Sequence, residues 1–240
     1  MQIDHFLELV KKRRSVREFK PDPIPDEYIE KILEAGRWAM SGGNGQPWEF
    51  IVVKDKETIK EIERLYTKTQ RQGINIIELT RIEEIRQPAI YRSLGGAPPG
   101  FKDAPVIIVI LGDLRIIQAS VALAGFFTGS TVIMMDLANA SQLMHVAAAS
   151  LGLGSQWLSI STPFEGGYRT ILGVPEVFTI QMMMPVGYPT RELNPRYRRS
   201  LDEIVHKERY EMSKFRSDQE IVDFVIKLRK QMKEAYPLGK

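Results

Sequence analysis

The densest phosphate-binding chemistry in the chain is Arg13-Arg14-Ser15-x-Arg17. Arginine offers planar, forked N–H donors that match phosphate oxygens, and a serine hydroxyl or nearby backbone N–H adds to them. The four residues lie in KKRRSVREFK, residues 11–20, which holds six cations and one acid. One reading is a site for a phosphate-bearing ligand, and the other is a solvated basic turn. A second arginine group, Arg191, Arg196, Arg198 and Arg199, follows Gly187-Tyr188-Pro189. It either joins the first group around one phosphate or forms a solvated loop. Between them lies Ser41-Gly42-Gly43-Asn44-Gly45-Gln46-Pro47-Trp48-Glu49-Phe50. Its three glycines permit close backbone approach to a flat ligand, and Asn44 and Gln46 supply amides that donate and accept. A plain helix-to-strand turn explains the same residues. The fourth segment is Gly152-Leu153-Gly154-Ser155-Gln156-Trp157. Its GxG is not a dinucleotide fingerprint: the third glycine would fall on Trp157, and the glycines follow a helix where the fingerprint needs a strand-to-helix turn.

These segments need elements to hold them. Ile3, Leu7 and Val10 give one apolar stripe, so Asp4–Val10 reads as a short helix that delivers the basic run where it ends. Pro21, Pro23 and Pro25 hold an extended connector. Asp26 to Ala39 has helical spacing at Ile29, Ile32, Leu33 and Gly36, with acids in its first turn. Trp48–Val53 reads as a strand and 56–71 as a helix. Residues 72–104 read as a lid-like excursion, with Arg81, Arg86 and Arg92 in a helical piece and GGAPPG at 95–100 as a break. Val106–Leu111, VIIVIL, is a strand of the kind buried on both faces. Residues 113–128 are assigned to a helix. Thr131–Leu151 is a long helix, apolar nearly all round and ended by Gly152, suited to a core or to a dimer contact. Ile180–Val186 is a further strand. Ser217-Asp218-Gln219-Glu220 has capping-box form ahead of a stripe at Ile221, Phe224, Val225, Leu228 and Met232.

Composition narrows the function classes. The chain has 240 residues, a net charge of +3 and no cysteine. Thiol nucleophiles, disulfides and cysteine-ligated metals are excluded, and generic nucleic-acid binding predicts a larger basic excess. The apolar region 119–153 is broken by Asp136, Asn139, Gln142 and His145, which argues against a membrane span. No apolar signal core opens the chain, and a cytoplasmic location is expected. Of the three histidines, His5 is expected at the surface, His206 among charges, and His145 as a satisfied core residue. The sequence holds no HExxH, P-loop or GxSxG.

RRSxRxF, SxxNxQPWxF, GLGSxW after an alanine-rich helix, and VGYP followed by RxRR occur here in that order. Together they resemble the FMN-dependent nitroreductase family over about residues 7–206. The resemblance implies an α+β fold, a mostly antiparallel central sheet flanked by helices, in an interlocked homodimer with two sites at the subunit interface. Residues 1–206 would form the FMN-binding domain, and 207–240 a helical extension of that domain or of the dimer embrace. By the same resemblance Arg13, Arg14 and Ser15 bind the FMN phosphate and ribityl chain, and Arg17 sits by the flavin N1/O2 edge. Met40, Ser41, Gly42 and Asn44 approach from the other subunit. Leu158, Ser159 and Ile160 line the ring, with a backbone N–H of Ser159 or Ile160 donating to N5. Arg196 and Arg198 close the phosphate site. Two positions depart from the family: Met40-Ser41-Gly42 stands where Pro-Ser-Ser is frequent, and Ser200 replaces a frequent proline.

The implied activity is ping-pong hydride transfer from NADH or NADPH to an electron-poor small molecule such as a nitroaromatic or quinone. The flavin does the chemistry, so no catalytic acid–base side chain and no metal is required. Trp38, Phe101, Phe126 and Phe127 are candidates for an aromatic pocket floor, with core packing as the alternative. One rival is a related flavin enzyme performing reductive dehalogenation or dehydrogenation of a small metabolite. The other is a non-enzymatic module that binds nucleotide or nucleic acid through the arginine turn.

Overall fold

A computed structural model of the protein describes residues 3–80, 100–119, 129–160 and 162–235. Arg81, Arg86, Arg92, Phe126, Phe127 and all of GGAPPG but its last glycine lie outside them. The chain divides into two compact units, one of Met1–Thr69 with Pro98–Leu193 and one of Gln70–Ala97 with Asn194–Lys240.

The first unit opens with α1 (Ile3–Lys12), α2 (Asp26–Arg37), β1 (Trp48–Val53) and α3 (Lys56–Thr80), whose residues from Gln70 on belong to the second unit. It continues with β2 (Val106–Asp113), α4 (Leu114–Ala119) and α5 (Gly129–Ser150). Then come β3 (Gly154–Ser155), β4 (Leu158–Ser159), α6 (Glu165–Leu172) and β5 (Phe178–Gly187). The sheet order is β1-β2-β5-β3, with β4 also on β5, and every strand pairing is antiparallel.

All eight residues of β2 are buried because helices cover both faces of the sheet. Alternation along the strand divides its side chains between two cores. Val106, Ile108 and Ile110 join Met182, Met184 and Val186 of β5 under Ile29 and Ile32 of α2 and Ile133, Leu137, Ala140 and Met144 of α5. Ile107, Val109 and Leu111 join Ile180 and Met183 against Ile59 and Ile62 of α3, Phe101 and Tyr168. The run VIIVIL therefore reads correctly as doubly covered, although its partners are antiparallel.

The β2–β5 register slips once. Ile110 faces Met182 and Leu111 faces Ile180, so Gln181 is the additional residue of a bulge. Its carbonyl accepts the Ile160 N–H at 3.0 Å. Lower on β5, Glu165 of α6 accepts the Ile180 N–H at 2.5 Å and the Arg169 guanidinium at 2.9 Å. Arg169 Nη2 also donates to the Phe178 carbonyl at 2.9 Å. A largely buried ion pair thus fastens α6 to the strand. This helix has no counterpart in the periodicity reading above.

Helix α5 ends as its sequence dictates. Gly152 takes φ 73°, and the Leu153 N–H returns to the Ala148 carbonyl at 2.9 Å. In the second unit, α7 (Leu201–Ile204) starts at a capping box in which the Ser200 N–H and hydroxyl donate to Glu203 Oε2 at 2.7 and 3.0 Å. Ser200, one of the departures noted above, therefore builds a cap. Helix α8 (Asp218–Ala235) starts from the expected Ser217–Glu220 box. Phe224 meets Tyr197 edge-on at 6.1 Å, and Lys227 lies over Tyr197 at 4.6 Å.

Candidate active site

The basic segment leaves α1 in extended form and is held by backbone pairing. Ser15 bridges to Ser155 in parallel, and the Val16 N–H donates to the Ser155 carbonyl at 2.9 Å. Phe19 bridges to Pro189, and the Lys20 N–H donates to the Tyr188 carbonyl at 2.8 Å. Val16 and Phe19 are buried anchors, while Arg13, Arg14, Ser15 and Arg17 stay partly exposed. Close approach needs Gly154: a Cβ there would lie 2.5 Å from Val16 Cγ2 and 2.7 Å from Val16 Cβ. The basic segment thus meets two motifs more than a hundred residues further along the chain at one sheet edge. Arg14 Nη1 donates to the Arg13 carbonyl at 2.7 Å and also to that of Lys11, and Arg17 Nη1 donates to the Ser15 carbonyl at 3.4 Å. Burial pushes the Tyr66 phenol up to about 12, a rise that the Arg17 charge opposes.

The glycine-rich loop is strained and pinned. Gly43, Asn44 and Gln46 have φ of 58°, 54° and 48°, the left-handed region that non-glycine residues rarely enter. Two residues of α5 hold it: the Gly42 N–H donates to Asp136 Oδ1 at 3.0 Å, and Asn139 Nδ2 donates to the Met40 carbonyl at 3.2 Å. Ser41 Oγ accepts the Gln46 N–H at 3.0 Å. Burial raises the Asp136 carboxyl above the ordinary carboxylate range, opposed by the Gly42 bond. Met40 is 78% exposed, and Asn44 is exposed as well.

The segment after α5 runs along the bulged side of β5. The Gln156 N–H donates to Pro185 O at 3.1 Å and the Ile160 N–H to Gln181 O at 3.0 Å. The alternation of an antiparallel ladder then turns the N–H groups of Trp157 and Ser159 toward the opposite edge. Leu158 and Ile160 bury their side chains in the core, and Ser159 stays exposed. Of the two N–H groups weighed for a ring nitrogen, that of Ile160 is committed within the sheet.

Arg196 and Arg198 belong to the second unit. Arg198 Nη1 donates to the Tyr197 carbonyl at 2.9 Å, and Arg199 Nη2 to the Glu203 carbonyl at 2.5 Å. Arg191, in the first unit, pairs with Glu18 at 3.4 Å. Of the aromatic candidates, Phe101 is wholly buried in the core. Trp38 is 72% exposed, with its indole N–H on Glu34 at 2.7 Å and Arg37 stacked over it at 5.0 Å. Phe101 thus follows the core-packing alternative, and Trp38 packs against its own helix. Among the described residues, no acidic or histidine cluster suits a metal and no helix is long and apolar enough to cross a membrane.

The profile described as "Nitroreductase family" matches residues 10–188, a span holding the sheet and both cores. The chain belongs to the nitroreductase family. It is 29% identical over 208 residues to a putative NADH dehydrogenase/NAD(P)H nitroreductase of Methanothermobacter thermautotrophicus, covering 85% of this chain and 87% of that one. It is 30% identical over 215 residues to iodotyrosine deiodinase 1 of Mus musculus, covering 85% of this chain and 70% of that one. Its fold is shared with the solved structure of an FMN-dependent nitroreductase from Clostridium difficile, with a TM-score of 0.61, 24% identity, and coverage of 85% of this chain and 99% of that chain.

Three residues of this nitroreductase-family chain escaped sequence reasoning as site elements. Asp136 and Asn139 register in the sequence only as interruptions of an apolar helix, yet they pin the loop. His145 is buried as expected, but it is not the fully satisfied core histidine its surroundings suggest. Nδ1 lies 2.7 Å from Ser155 Oγ, while Nε2 is buried without a hydrogen-bond partner. Burial, and behind it the Arg13 charge, pushes its pKa down to about 4, so the ring is neutral at physiological pH.

Proposed function

We propose that the protein is an FMN-dependent NAD(P)H oxidoreductase that reduces an electron-poor small molecule such as a nitroaromatic or quinone. One observation carries the reading: the Ser15–Ser155 pairing lays the arginine segment along β3, in the stretch that continues through β4 to Ser159. A phosphate ligand set and an edge with free N–H direction then lie side by side, which suits a phosphorylated flat ligand. The donor chemistry fits FMN at both ends, with guanidinium and hydroxyl groups on one side and backbone N–H on the other.

When bound, FMN would supply the hydride-accepting and hydride-donating chemistry between nicotinamide and substrate. The protein's own contributions are positional and electrostatic. Arg13, Arg14 and Ser15 bind the phosphate and ribityl chain. Arg17 supplies a cation where negative charge gathers at N1/O2. The Ser159 N–H, freed by the ladder alternation, is the donor to N5, and Leu158 and Ile160 support the ring from behind through their backbone. Met40, Ser41, Gly42 and Asn44 serve the site of a second subunit in a homodimer. Two features support that arrangement. From Asp136, which holds the loop, to His145, beside Ser155, α5 advances about 14 Å. Exposed apolar side chains also cluster along this region, Met134 at 49%, Met135 at 59% and Leu143 at 40% on α5.

The testing experiment is the visible spectrum of the purified protein, followed by anaerobic bleaching with NADH or NADPH. A yellow protein that releases FMN on heating, and is reoxidised by a nitroaromatic or quinone, is the expected result. A colourless protein with salt-dependent nucleic-acid affinity refutes it. The likeness to iodotyrosine deiodinase over most of the chain favours a second reading, reductive dehalogenation of a halogenated phenol. Bleached enzyme that is reoxidised by halophenols and not by nitro compounds or quinones selects that reading.

A further inference from the structure

His145 touches both halves of the segment assigned to flavin. On one side its Nδ1 meets Ser155 Oγ at 2.7 Å, and the Ser155 backbone pairs with Ser15 and accepts from Val16. On the other side its ring lies 6.0 Å from the Trp157 indole at an interplanar angle of 23°. Trp157 Nε1 in turn donates to Ser159 Oγ at 3.0 Å. The imidazole is 3% exposed and Ser155 is 2% exposed, so the Nδ1 contact is a buried hydrogen bond.

A leucine or methionine, as at Leu137 or Met144, would pack this helix position without burying a polar ring. What the imidazole adds is a bond to Ser155 and a flat surface behind Trp157. We propose that His145 is a positioning residue that locks the arginine-bearing strand and the Trp157–Ser159 strand into one frame around the flavin. The inference rests on the flavin reading above. It assigns His145 no contact with the ligand and no proton-transfer role.

Two substitutions separate the two connections. His145→Phe keeps a flat ring behind Trp157 and removes the Ser155 bond. His145→Asn keeps a polar atom near the Nδ1 position and removes the ring. FMN affinity and the absorption bands of bound FMN are measured for each, with thermal midpoint alongside. In H145F the dissociation constant rises about tenfold, the effect of one buried hydrogen bond, and the bands of the bound fraction stay in place. In H145N the constant stays within about threefold, and the bands shift because the indole loses its backing. Ser155→Ala breaks the same bond from the other side with a smaller change, and its affinity must follow H145F. A purely structural histidine lowers the thermal midpoint in both variants while affinity and bands stay as in the wild type; that result overturns the inference, as does wild-type affinity in S155A. Failure of the wild-type protein to bind FMN in the same titration overturns the flavin reading itself, and this inference falls with it.

Discussion

Replacing Gly154 with alanine tests how the basic segment is held. The added Cβ would stand 2.5, 2.7 and 2.9 Å from Val16 Cγ2, Cβ and Cγ1. Real Cβ contacts are longer, so Val16 must move, and it is 6% exposed with little room. Overpacking of this kind costs about 1–3 kcal/mol. Displacing Val16 also endangers its N–H bond to Ser155, worth about 0.5–1.5 kcal/mol. The residue's own conformation is open to alanine, and the stiffer unfolded chain returns about 0.4–1 kcal/mol. The net expectation is a loss of about 2 kcal/mol in denaturant unfolding, read as a lower midpoint at constant slope. If the displaced strand carries the phosphate ligands, the same energy appears as about 30-fold weaker FMN binding by fluorescence titration. Adding Val16→Ala removes both Cγ contacts but not the 2.7 Å Cβ contact, so rescue is partial. Unaltered stability and unaltered flavin affinity in Gly154→Ala would refute the idea that this pairing holds the arginines in place.

Asp136→Asn keeps an acceptor for Gly42 and removes a carboxylate whose pKa is raised by burial. A raised folded-state pKa favours the fold at low pH and loses that advantage as pH rises, so D136N matches or exceeds wild-type stability at pH 7, and the difference disappears in acid; denaturant titrations at both pH values check this. Asp136→Ala, which strands the Gly42 N–H, is instead destabilised by about 1 kcal/mol by the same measurement. Arg169→Ala leaves the Glu165 carboxylate without its cation and costs about 3 kcal/mol, whereas Glu165→Gln retains an acceptor for Ile180 and costs less; equal losses in the two unfolding curves would contradict the assigned roles. His145, held near 4 against an ordinary 6.5, supplies stability that is full above pH 6.5 and lost as pH falls to about 4, on the order of 3 kcal/mol. The acid branch of the stability curve flattens in His145→Asn; an unchanged branch would show that His145 is not the group responsible.

Long periodic elements were legible from residue types alone. Trp48–Val53 matches its strand at both ends, and the Ser217–Glu220 pattern marks its helix start, because local chemistry decides both. The doubly buried character of VIIVIL was legible; its partner strands were not, since an apolar run carries no direction. Helix α6 escaped notice because Glu165 and Arg169 are polar residues used inward, where hydropathy patterning expects solvent. β3 and β4, two residues each, leave no period to detect and exist through pairing with β5. The motifs were visible because glycine, arginine and tryptophan spacing is distinctive. The clamps Asp136 and Asn139 were hidden because each acts on a residue remote in sequence, and His145 because its partner Ser155 lies beyond the end of its helix.

One consequence of the slipped register concerns chain length. Downstream of Gln181, the side chains of β5 from Met182 to Gly187 keep the alternation that β2 sets, because the inserted residue is taken up in the bulge. Excising Gln181 would join Ile180 directly to Met182, opposite the consecutive residues Leu111 and Ile110, so every side chain would keep its present core, but the carbonyl that seats Ile160 would be lost. A one-residue deletion beyond the bulge would instead exchange the cores of the side chains that follow it, which makes the bulge the place where this scaffold can absorb a change in strand length.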